Sequence, residues 1–232
     1  MGNIVWITGG SSGIGREITR KFINNNFNVA VTSRNLDKKY FDFDEKKQEN
    51  LYLNSCDISD SQALLKTYEN ISQTGFVDCL INNAGITSFT LAKDDSIDMI
   101  KKIIDVNLLG SIYAIKSVLP AMIENKRGTI VNILSVAAEK IFSKSSAYAA
   151  SKAGLQAYTN IIREELREFN IKVINFLPGA TATPIWSSNV LDKFSYRMMK
   201  PEDLAEFIYN VATNNKNIIA EEITLRPIDG DL

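Results

Sequence analysis

The sequence contains no histidine among its 232 residues and only two cysteines, Cys56 and Cys79. The lack of histidine excludes a Ser-His-Asp or Cys-His nucleophile system and a zinc site with histidine ligands, so we expect no metal centre. The two cysteines form no Cys-x-x-Cys pair, which is typical of buried thiols in a protein of a reducing compartment. A single disulfide between them stays open as an alternative.

An excess of either charge is also missing, since 26 basic residues face 27 acidic ones. A nucleic-acid-binding surface needs an excess of cations to neutralise phosphates, so we expect no nucleic-acid partner. We find no apolar run long enough to cross a bilayer, and the N-terminal residues lack the basic segment of a secretory signal. We therefore expect a cytoplasmic protein with no membrane partner.

Short apolar runs alternate with helix-length segments along the whole chain, which we expect to form one domain over residues 1–232. Their near-continuous hydrophobicity is typical of strands buried on both faces of a parallel sheet. The alternation predicts an α/β fold of the Rossmann type, a doubly wound parallel sheet of about seven strands with helices on both faces. The expected strand order is 3-2-1-4-5-6-7, and the predicted strands are 4–7, 27–32, 51–55, 79–81, 130–134, 173–176 and 223–225.

The helical segments between these strands have recognisable ends. Asp60 is a plausible N-cap for a helix over 61–72, and Pro201 begins the last helix. The long segment that spans 96–107 and 109–124 is either continuous or broken near its middle. Residues 184–200 are irregular and predict a short substrate flap.

A glycine-rich turn follows the first predicted strand and leads at once into a helix pattern. Glycine lets the backbone approach a pyrophosphate, and the N–H groups of the helix N-terminus then face its negative charge. A P-loop would need Lys followed by Ser or Thr after the last glycine, where Arg16 and Glu17 stand. The turn therefore predicts a dinucleotide site. The cofactor-binding residues that we expect here are Thr8, Gly9, Ser11, Ser12, Gly13, Ile14 and Gly15.

The end of the second predicted strand distinguishes between the two nicotinamide dinucleotides. An acidic residue there would bind the ribose hydroxyls of NAD(H) and repel a 2′-phosphate. This chain has Ser33 and Arg34 instead, and the planar guanidinium of Arg34 suits a phosphate. The sequence therefore favours NADP(H), with NAD(H) possible if Arg34 is only a solvated loop cation.

Three polar residues are candidates for catalysis: Ser135 follows the fifth predicted strand, and Tyr148 and Lys152 come next in a helix pattern. Tyrosine and lysine at positions i and i+4 share a helix face, and a nearby ammonium favours the phenolate, which lowers the phenol pKa toward neutrality. Tyr148 can then act as a general acid/base while Ser135 orients the same substrate oxygen. A second Tyr-x-x-x-Lys match, Tyr196 to Lys200, is a weaker candidate because Pro201 follows it.

In combination and order, these motifs resemble the classical short-chain dehydrogenase/reductase family over residues 3 to 226. The resemblance implies that Asp57 and Ile58 contact the adenine, that Lys152 also binds the nicotinamide ribose, and that Asn107 holds a water in a proton relay toward Lys152. It also implies a homodimer or homotetramer that pairs the helices 109–124 and 148–168. Further cofactor-binding residues implied by the family motifs are Asn83, Ala84, Gly85, Pro178, Gly179, Thr181 and Thr183.

The function that these residues favour is an NADP(H)-dependent carbonyl reductase or alcohol dehydrogenase. We expect a small ketone, diketone or hydroxy compound as substrate, in a mostly apolar pocket lined by Ala137, Phe142, Trp186 and Phe194, with 87–89 nearby. Three alternatives remain open. A 3-oxoacyl-thioester reductase for acyl carrier protein or CoA, or a sepiapterin or 3-hydroxy-acid type reductase, would share every motif. A non-catalytic NADP(H) sensor or scaffold belongs to a different class.

Overall fold

The structure is a computed structural model and describes residues 2–214 and 217–230. Met1, residues 215–216 and residues 231–232 of the expected domain lie outside the described residues. Seven parallel strands form one sheet in the order 3-2-1-4-5-6-7, which confirms the predicted fold class and strand order. The strands are β1 (Gly2–Thr8), β2 (Asn28–Ser33), β3 (Leu51–Ser55), β4 (Gly75–Asn82), β5 (Gly128–Ile133), β6 (Ile171–Pro178) and β7 (Glu222–Leu225).

Helices cover both faces of this sheet because successive strand side chains point to opposite faces. Ile4 and Trp6 of β1 face one layer of helices, whereas Val5 and Ile7 face the other. The helices are α1 (Gly13–Asn24), α2 (Glu45–Gln48), α3 (Ser61–Ser72), α4 (Ile97–Ile104), α5 (Gly110–Asn125), α6 (Ser146–Leu166), α7 (Ser188–Phe194) and α8 (Pro201–Ala212). The first layer contains α3, α5 and α6, and the second contains α1 and α8.

The helix ends follow the sequence signals in several places. The carboxylate of Asp60 accepts hydrogen bonds from the backbone N–H groups of Gln62 and Ala63, as expected of an N-cap. Pro201 occupies the first turn of α8. Residues 184–200 are more regular than predicted, because they contain α7 and the 3₁₀ turn Ser195–Arg197. Both cysteines are buried free thiols, so they form no disulfide.

The segment Ile97–Asn125 is continuous rather than broken, because the π-helical turn Asp105–Leu109 joins α4 to α5. Among the described residues it is the one helix long and apolar enough to cross a membrane, judged by length and composition alone. Our expectation that no segment meets this criterion was therefore wrong. Core helices meet the same criterion, and here Ala114, Ile115 and Val118 are fully buried in the layer that contains α3 and α6.

Candidate active site

A cavity of about 620 Å³ lies where β1, β4, β5 and β6 end. In a doubly wound sheet, ligands bind at the carboxyl ends of the strands. Among the predicted site residues, many border this cavity directly. They are Ser12, Gly13, Ile14, Asn83, Gly85, Ser135, Ala137, Phe142, Tyr148, Lys152, Pro178, Gly179, Thr181, Thr183 and Trp186.

Side-chain hydrogen bonds connect the glycine-rich turn after β1 to the end of β4. The amide of Asn83 donates to the carbonyl oxygens of Thr8 and Gly9, at 3.1 and 3.0 Å. The hydroxyl of Thr8 accepts from the backbone N–H groups of Asn83 and Ala84. A Cβ at Gly15 would lie 2.3 Å from the Asn83 amide nitrogen, so this contact requires glycine. The turn thus takes its shape from contacts of Thr8, Gly9 and Gly15, which do not border the cavity themselves.

The N-terminus of α1 has the features of an anion-binding site. Ser12 occupies the N-cap position in an extended conformation, and its side chain makes no capping hydrogen bond. The first turn carries no acidic residue, and Gly13 adopts a positive φ of 52°. The first backbone N–H groups and the positive end of the helix dipole are therefore directed toward the cavity without a side-chain acceptor.

The predicted adenosine-binding residues lie at the ends of β1, β2 and β3. The hydroxyls of Ser11 and Ser33 are 2.9 Å apart, and the side chain of Arg34 is exposed beside them. Burial raises the pKa of Asp57, but two hydrogen bonds from Ser59 and the nearby charge of Arg34 outweigh it, so the net shift is downward. Asp57 is therefore a carboxylate at neutral pH.

Ile58 does not lie beside the cavity. Its side chain is buried in the core, where a Cβ at Gly110 would come within 2.8 Å of it. Any contact of Ile58 with a cofactor would thus have to come from its backbone.

The three candidate catalytic residues converge on the cavity from two elements. Ser135 lies two residues after the end of β5, while Tyr148 and Lys152 lie on one face of α6. The Lys152 Nζ lies 5.8 Å from the centre of the Tyr148 ring and donates a 2.7 Å hydrogen bond to the carbonyl oxygen of Ile133. The Ser135 hydroxyl lies near enough to the Tyr148 phenol to affect its pKa, and both residues border the cavity.

Burial dominates the titration of this pair. It lowers the pKa of Lys152 to about 8, because the charged ammonium is poorly solvated. It raises the pKa of Tyr148, and the hydrogen bond from Ser135 only opposes that shift. The predicted lowering of the Tyr148 pKa by Lys152 is therefore not seen in this structure, and Tyr148 is protonated at neutral pH.

Asn107 lies in the π-helical turn and is completely buried. Its side-chain amide accepts from the Ile86 N–H at 2.8 Å, and donates to the Ile86 carbonyl at 2.9 Å and to the Ser151 hydroxyl at 3.0 Å. Its backbone carbonyl accepts from Ser111. Asn107 therefore anchors the segment after β4 to α6, and its role in a proton relay stays a prediction.

A row of buried asparagines crosses the centre of the sheet, and our sequence analysis missed most of it. The Asn82 amide donates to Asn132, which donates to Asn175, which donates to Asn160 on α6, each at 3.0 Å. The first three occupy matching register positions on β4, β5 and β6. The signal that could have found them is one asparagine in each of three apolar runs, at Asn82, Asn132 and Asn175.

Most of the residues predicted to form the substrate wall border the cavity. Phe89 joins the expected Trp186 at the cavity, and their rings stack with centres 4.8 Å apart. Phe194, by contrast, lies on α7, does not border the cavity and is 39% exposed. The structure therefore does not bring Phe194 together with the other residues of the predicted wall, and its contact with a substrate stays a prediction.

Comparison with known proteins agrees with this geometry. The sequence model of the family described as short chain dehydrogenase matches residues 3–193. The chain belongs to the short-chain dehydrogenase family. An uncharacterized oxidoreductase of Staphylococcus aureus (strain MRSA252) is 30% identical to it over 227 residues, which is 97% of each chain.

Solved structures of short-chain dehydrogenases superimpose over nearly the whole chain. ElxO with NADP bound gives a TM-score of 0.88 at 27% identity and covers 98% of both chains. Serine dehydrogenase from Escherichia coli gives 0.86 at 26% identity, covering 99% of this chain and all of its own. A 3-oxoacyl-[acyl-carrier protein] reductase with bound NAD from Brucella melitensis gives 0.84 at 26%, covering 97% and 90%. The chain is therefore an oxidoreductase of this family, with a nicotinamide cofactor.

Proposed function

We propose that this chain is an NADP(H)-dependent oxidoreductase that interconverts a small carbonyl compound and its alcohol, with Tyr148 as general acid/base. The presence of Ser135, Tyr148 and Lys152 at one cavity, with the Lys152 Nζ 5.8 Å from the centre of the Tyr148 ring, carries this proposal. The same cavity begins at the uncapped N-terminus of α1, which fits a pyrophosphate.

The residues around the cavity fit a bound dinucleotide. Gly13 and its neighbours would hold the pyrophosphate through backbone N–H groups, and Asp57 would bind near the adenine. Asn83 and Lys152 would bind at the nicotinamide ribose, and Thr183 near the carboxamide. When bound, the nicotinamide supplies or accepts the hydride.

The chemistry of the protein side chains is a proton transfer at the substrate oxygen. In reduction, the Tyr148 hydroxyl donates its proton to the oxygen of the carbonyl as that oxygen gains negative charge. The Ser135 hydroxyl donates a hydrogen bond to the same oxygen and fixes its position. The raised pKa of Tyr148 keeps the proton on the phenol at neutral pH, which suits the reductive direction. The Lys152 ammonium stabilises the phenolate that remains.

The preference for NADP(H) rests on the end of β2. Arg34 is exposed there, no acidic side chain replaces it, and the Ser11 and Ser33 hydroxyls lie beside each other. A 2′-phosphate in this place would receive charge-assisted hydrogen bonds from the guanidinium. The resemblance to ElxO with NADP bound supports the same preference.

Equilibrium binding of NADPH and NADH to the purified protein tests this preference. We expect Arg34→Ala to weaken NADPH binding by roughly 10- to 100-fold and to leave NADH binding unchanged, because one charge-assisted contact is lost. Lys46→Ala is the matched control, because Lys46 is an exposed cation in the same connection between β2 and β3. Equal binding of both cofactors to the wild-type protein would contradict the preference.

A carbonyl panel with NADPH tests the reaction. The panel should include simple ketones, diketones, 3-oxo acids and acetoacetyl-CoA, since the reductase from Brucella melitensis supports the 3-oxoacyl-thioester alternative. Preferred turnover of acetoacetyl-CoA would favour that alternative. NADPH binding without oxidation of NADPH by any carbonyl would favour a sensor or scaffold.

We also propose self-association as a homodimer or homotetramer through the outer faces of α5 and α6. Ile161 of α6 is exposed, and Ala157 beside it leaves room for a close helix contact. A monomer in sedimentation at micromolar concentration would contradict this proposal.

A further inference from the structure

Two aromatic rings from separate segments form one wall of the cavity. Phe89 comes from the segment after β4, and Trp186 comes from the segment after β6. Their ring planes differ by only 9° and their centres lie 4.8 Å apart. This is close contact for a stacked aromatic pair, at the lower end of the usual range of separations.

Trp186 is held firmly to the turn beside the candidate catalytic residues. Its indole N–H donates to the carbonyl oxygen of Thr181 at 3.1 Å, and its backbone N–H donates to that of Thr183 at 3.2 Å. Both threonines border the cavity, and both are buried. The indole is therefore in a fixed position relative to the place where the reaction occurs.

Phe89 is not a core residue, because 46% of it is exposed. An aromatic side chain left this open, and stacked on a ring that borders a cavity, leaves apolar surface available to a ligand. Ile185 next to Trp186 is also 40% exposed and also borders the cavity. The outer part of the cavity therefore offers aromatic and aliphatic surface.

The cavity lacks a cation for an anionic substrate. Among the described residues that border it, Lys152 is the only one with a charged side chain. Lys152 is 4% exposed and already donates to the Ile133 carbonyl. A substrate carboxylate would enter a mostly apolar space in which hydroxyl groups are present but no available cation among the described residues borders it, which is unfavourable.

We infer that Phe89 and Trp186 form the subsite for a flat apolar substituent of a neutral ketone or aldehyde, so that aryl carbonyl compounds without a carboxylate are the preferred substrate class. This inference rests on the proposed carbonyl reductase function. The substituent packs against the aromatic pair while its carbonyl oxygen lies between Ser135 and Tyr148. A 2-oxo or 3-oxo acid is a poor substrate for the same site.

Three related carbonyl compounds test the inference with NADPH as the reductant. Ethyl benzoylformate is neutral and carries an aryl group, benzoylformate carries the aryl group with a carboxylate, and ethyl pyruvate is neutral without an aryl group. We expect kcat/KM for ethyl benzoylformate to exceed that for ethyl pyruvate by roughly 10-fold, from burial of the ring. We expect it to exceed that for benzoylformate by roughly 100-fold, from the unpaired buried charge.

Variants of the pair separate a substrate contact from a structural one. Phe89→Ala and Trp186→Ala should each lower kcat/KM for ethyl benzoylformate by roughly 10-fold or more, mainly through KM. The value for ethyl pyruvate should change by less than about 3-fold. Tyr196→Ala is the matched control, because Tyr196 is an aromatic of the same segment that is 81% exposed away from the cavity.

Four results would overturn the inference. Benzoylformate turnover equal to that of its ester would refute the exclusion of carboxylates. If Phe89→Ala and Trp186→Ala retained NADPH binding but lowered kcat/KM equally for ethyl benzoylformate and ethyl pyruvate, the aromatic pair would have only a structural role. If the protein reduced other carbonyl compounds of the panel but none of these three, the aryl subsite would be refuted and the proposed reductase function would stand. Failure with every carbonyl of the panel would refute the proposed function, and the inference with it.

Discussion

Lys152 on α6 donates a 2.7 Å hydrogen bond to the carbonyl oxygen of Ile133 at the end of β5. Ile133 lies two residues before Ser135, and Lys152 lies one helical turn after Tyr148. The bond therefore fixes α6, which carries the proposed general acid Tyr148, against the end of β5, two residues before Ser135. It also holds the buried Lys152 Nζ at 5.8 Å from the centre of the Tyr148 ring.

Removal of the Tyr148 hydroxyl should abolish most of the reaction without affecting cofactor binding. We expect Tyr148→Phe to lower kcat by roughly 10²- to 10⁴-fold, because the proton donor is lost. NADPH binding, measured by fluorescence titration, should change by less than about 3-fold, since the six-membered aromatic ring is retained. Tyr196→Phe, in the second Tyr-x-x-x-Lys match, is the control and should keep full activity because Tyr196 is exposed. Undiminished turnover by Tyr148→Phe would refute the assigned mechanism.

The buried ammonium of Lys152 should make stability rise with pH on the alkaline side. Its pKa is about 8 in the folded protein and near 10.4 in an unfolded chain. Between these values the unfolded chain binds a proton that the folded protein has released, so the free energy of unfolding increases with pH. The full effect is about 3 kcal/mol and is absent below pH 8.

Urea denaturation of the cofactor-free protein at several pH values measures this effect. The difference in unfolding free energy between wild type and Lys152→Met should change in favour of wild type as the pH rises from 8 toward 10. A difference that stays constant over this range would show that Lys152 titrates normally despite its burial.

A methyl group at Gly15 should disrupt the cofactor turn. The new Cβ would lie 2.3 Å from the Asn83 amide and 2.5 Å from the Gly9 carbonyl oxygen, so the hydrogen bonds of Asn83 to the turn must break. We expect Gly15→Ala to weaken NADPH binding at least about 10-fold and to lower the midpoint of urea denaturation.

Gly154→Ala is the control for this substitution. Gly154 lies inside α6, and its new Cβ would meet only the terminal methyl groups of Leu108, at 3.2 Å. The gain in helix propensity is about 1 kcal/mol, so Gly154→Ala should be neutral or slightly stabilising in the same two measurements. Comparable damage from both substitutions would mean that the turn has no special requirement for glycine.

The asparagine row should behave as one coupled unit. Asn132→Leu leaves the Asn175 oxygen without its donor in a fully buried place, and we expect a loss of about 2–4 kcal/mol in the free energy of unfolding. A double-mutant cycle with Asn175→Leu should be non-additive, because both substitutions remove the same hydrogen bond. Urea denaturation provides the four values. Additive losses would show that the two amides are energetically independent.

Much of the fold and site could be predicted because the signals are local and ordered. The apolar runs, the glycine turn and the positions of Ser135, Tyr148 and Lys152 all lie within short segments whose spacing is visible in the sequence. The asparagine row could not be predicted in the same way. An isolated Asn132 in an apolar strand says nothing about its neighbours until the strand register brings Asn82 and Asn175 beside it.

Other features depend on contacts between distant segments. Thr181 and Met199, at the two ends of the flap, form a parallel bridge. This contact between distant residues constrains the flap and the position of Phe194 within it. The direction of the Tyr148 pKa shift depends on burial, which the spacing to Lys152 does not reveal. The π-helical turn depends on how Asn107 bonds to Ile86, on a different segment.

The π-helical turn Asp105–Leu109 acts as a phase shift within one long helix. A π turn accommodates one extra residue, so everything that precedes it is rotated by about 100° relative to an uninterrupted α-helix. The turn thus allows the buried stripe of α5 to face the sheet while Asn107 points to the segment after β4. Deletion of one residue there would leave a continuous helix, and would turn either Asn107 or the buried stripe of α5 to the wrong side. The alignment of the candidate active site with the core is therefore encoded in the length of this helix as much as in its residues.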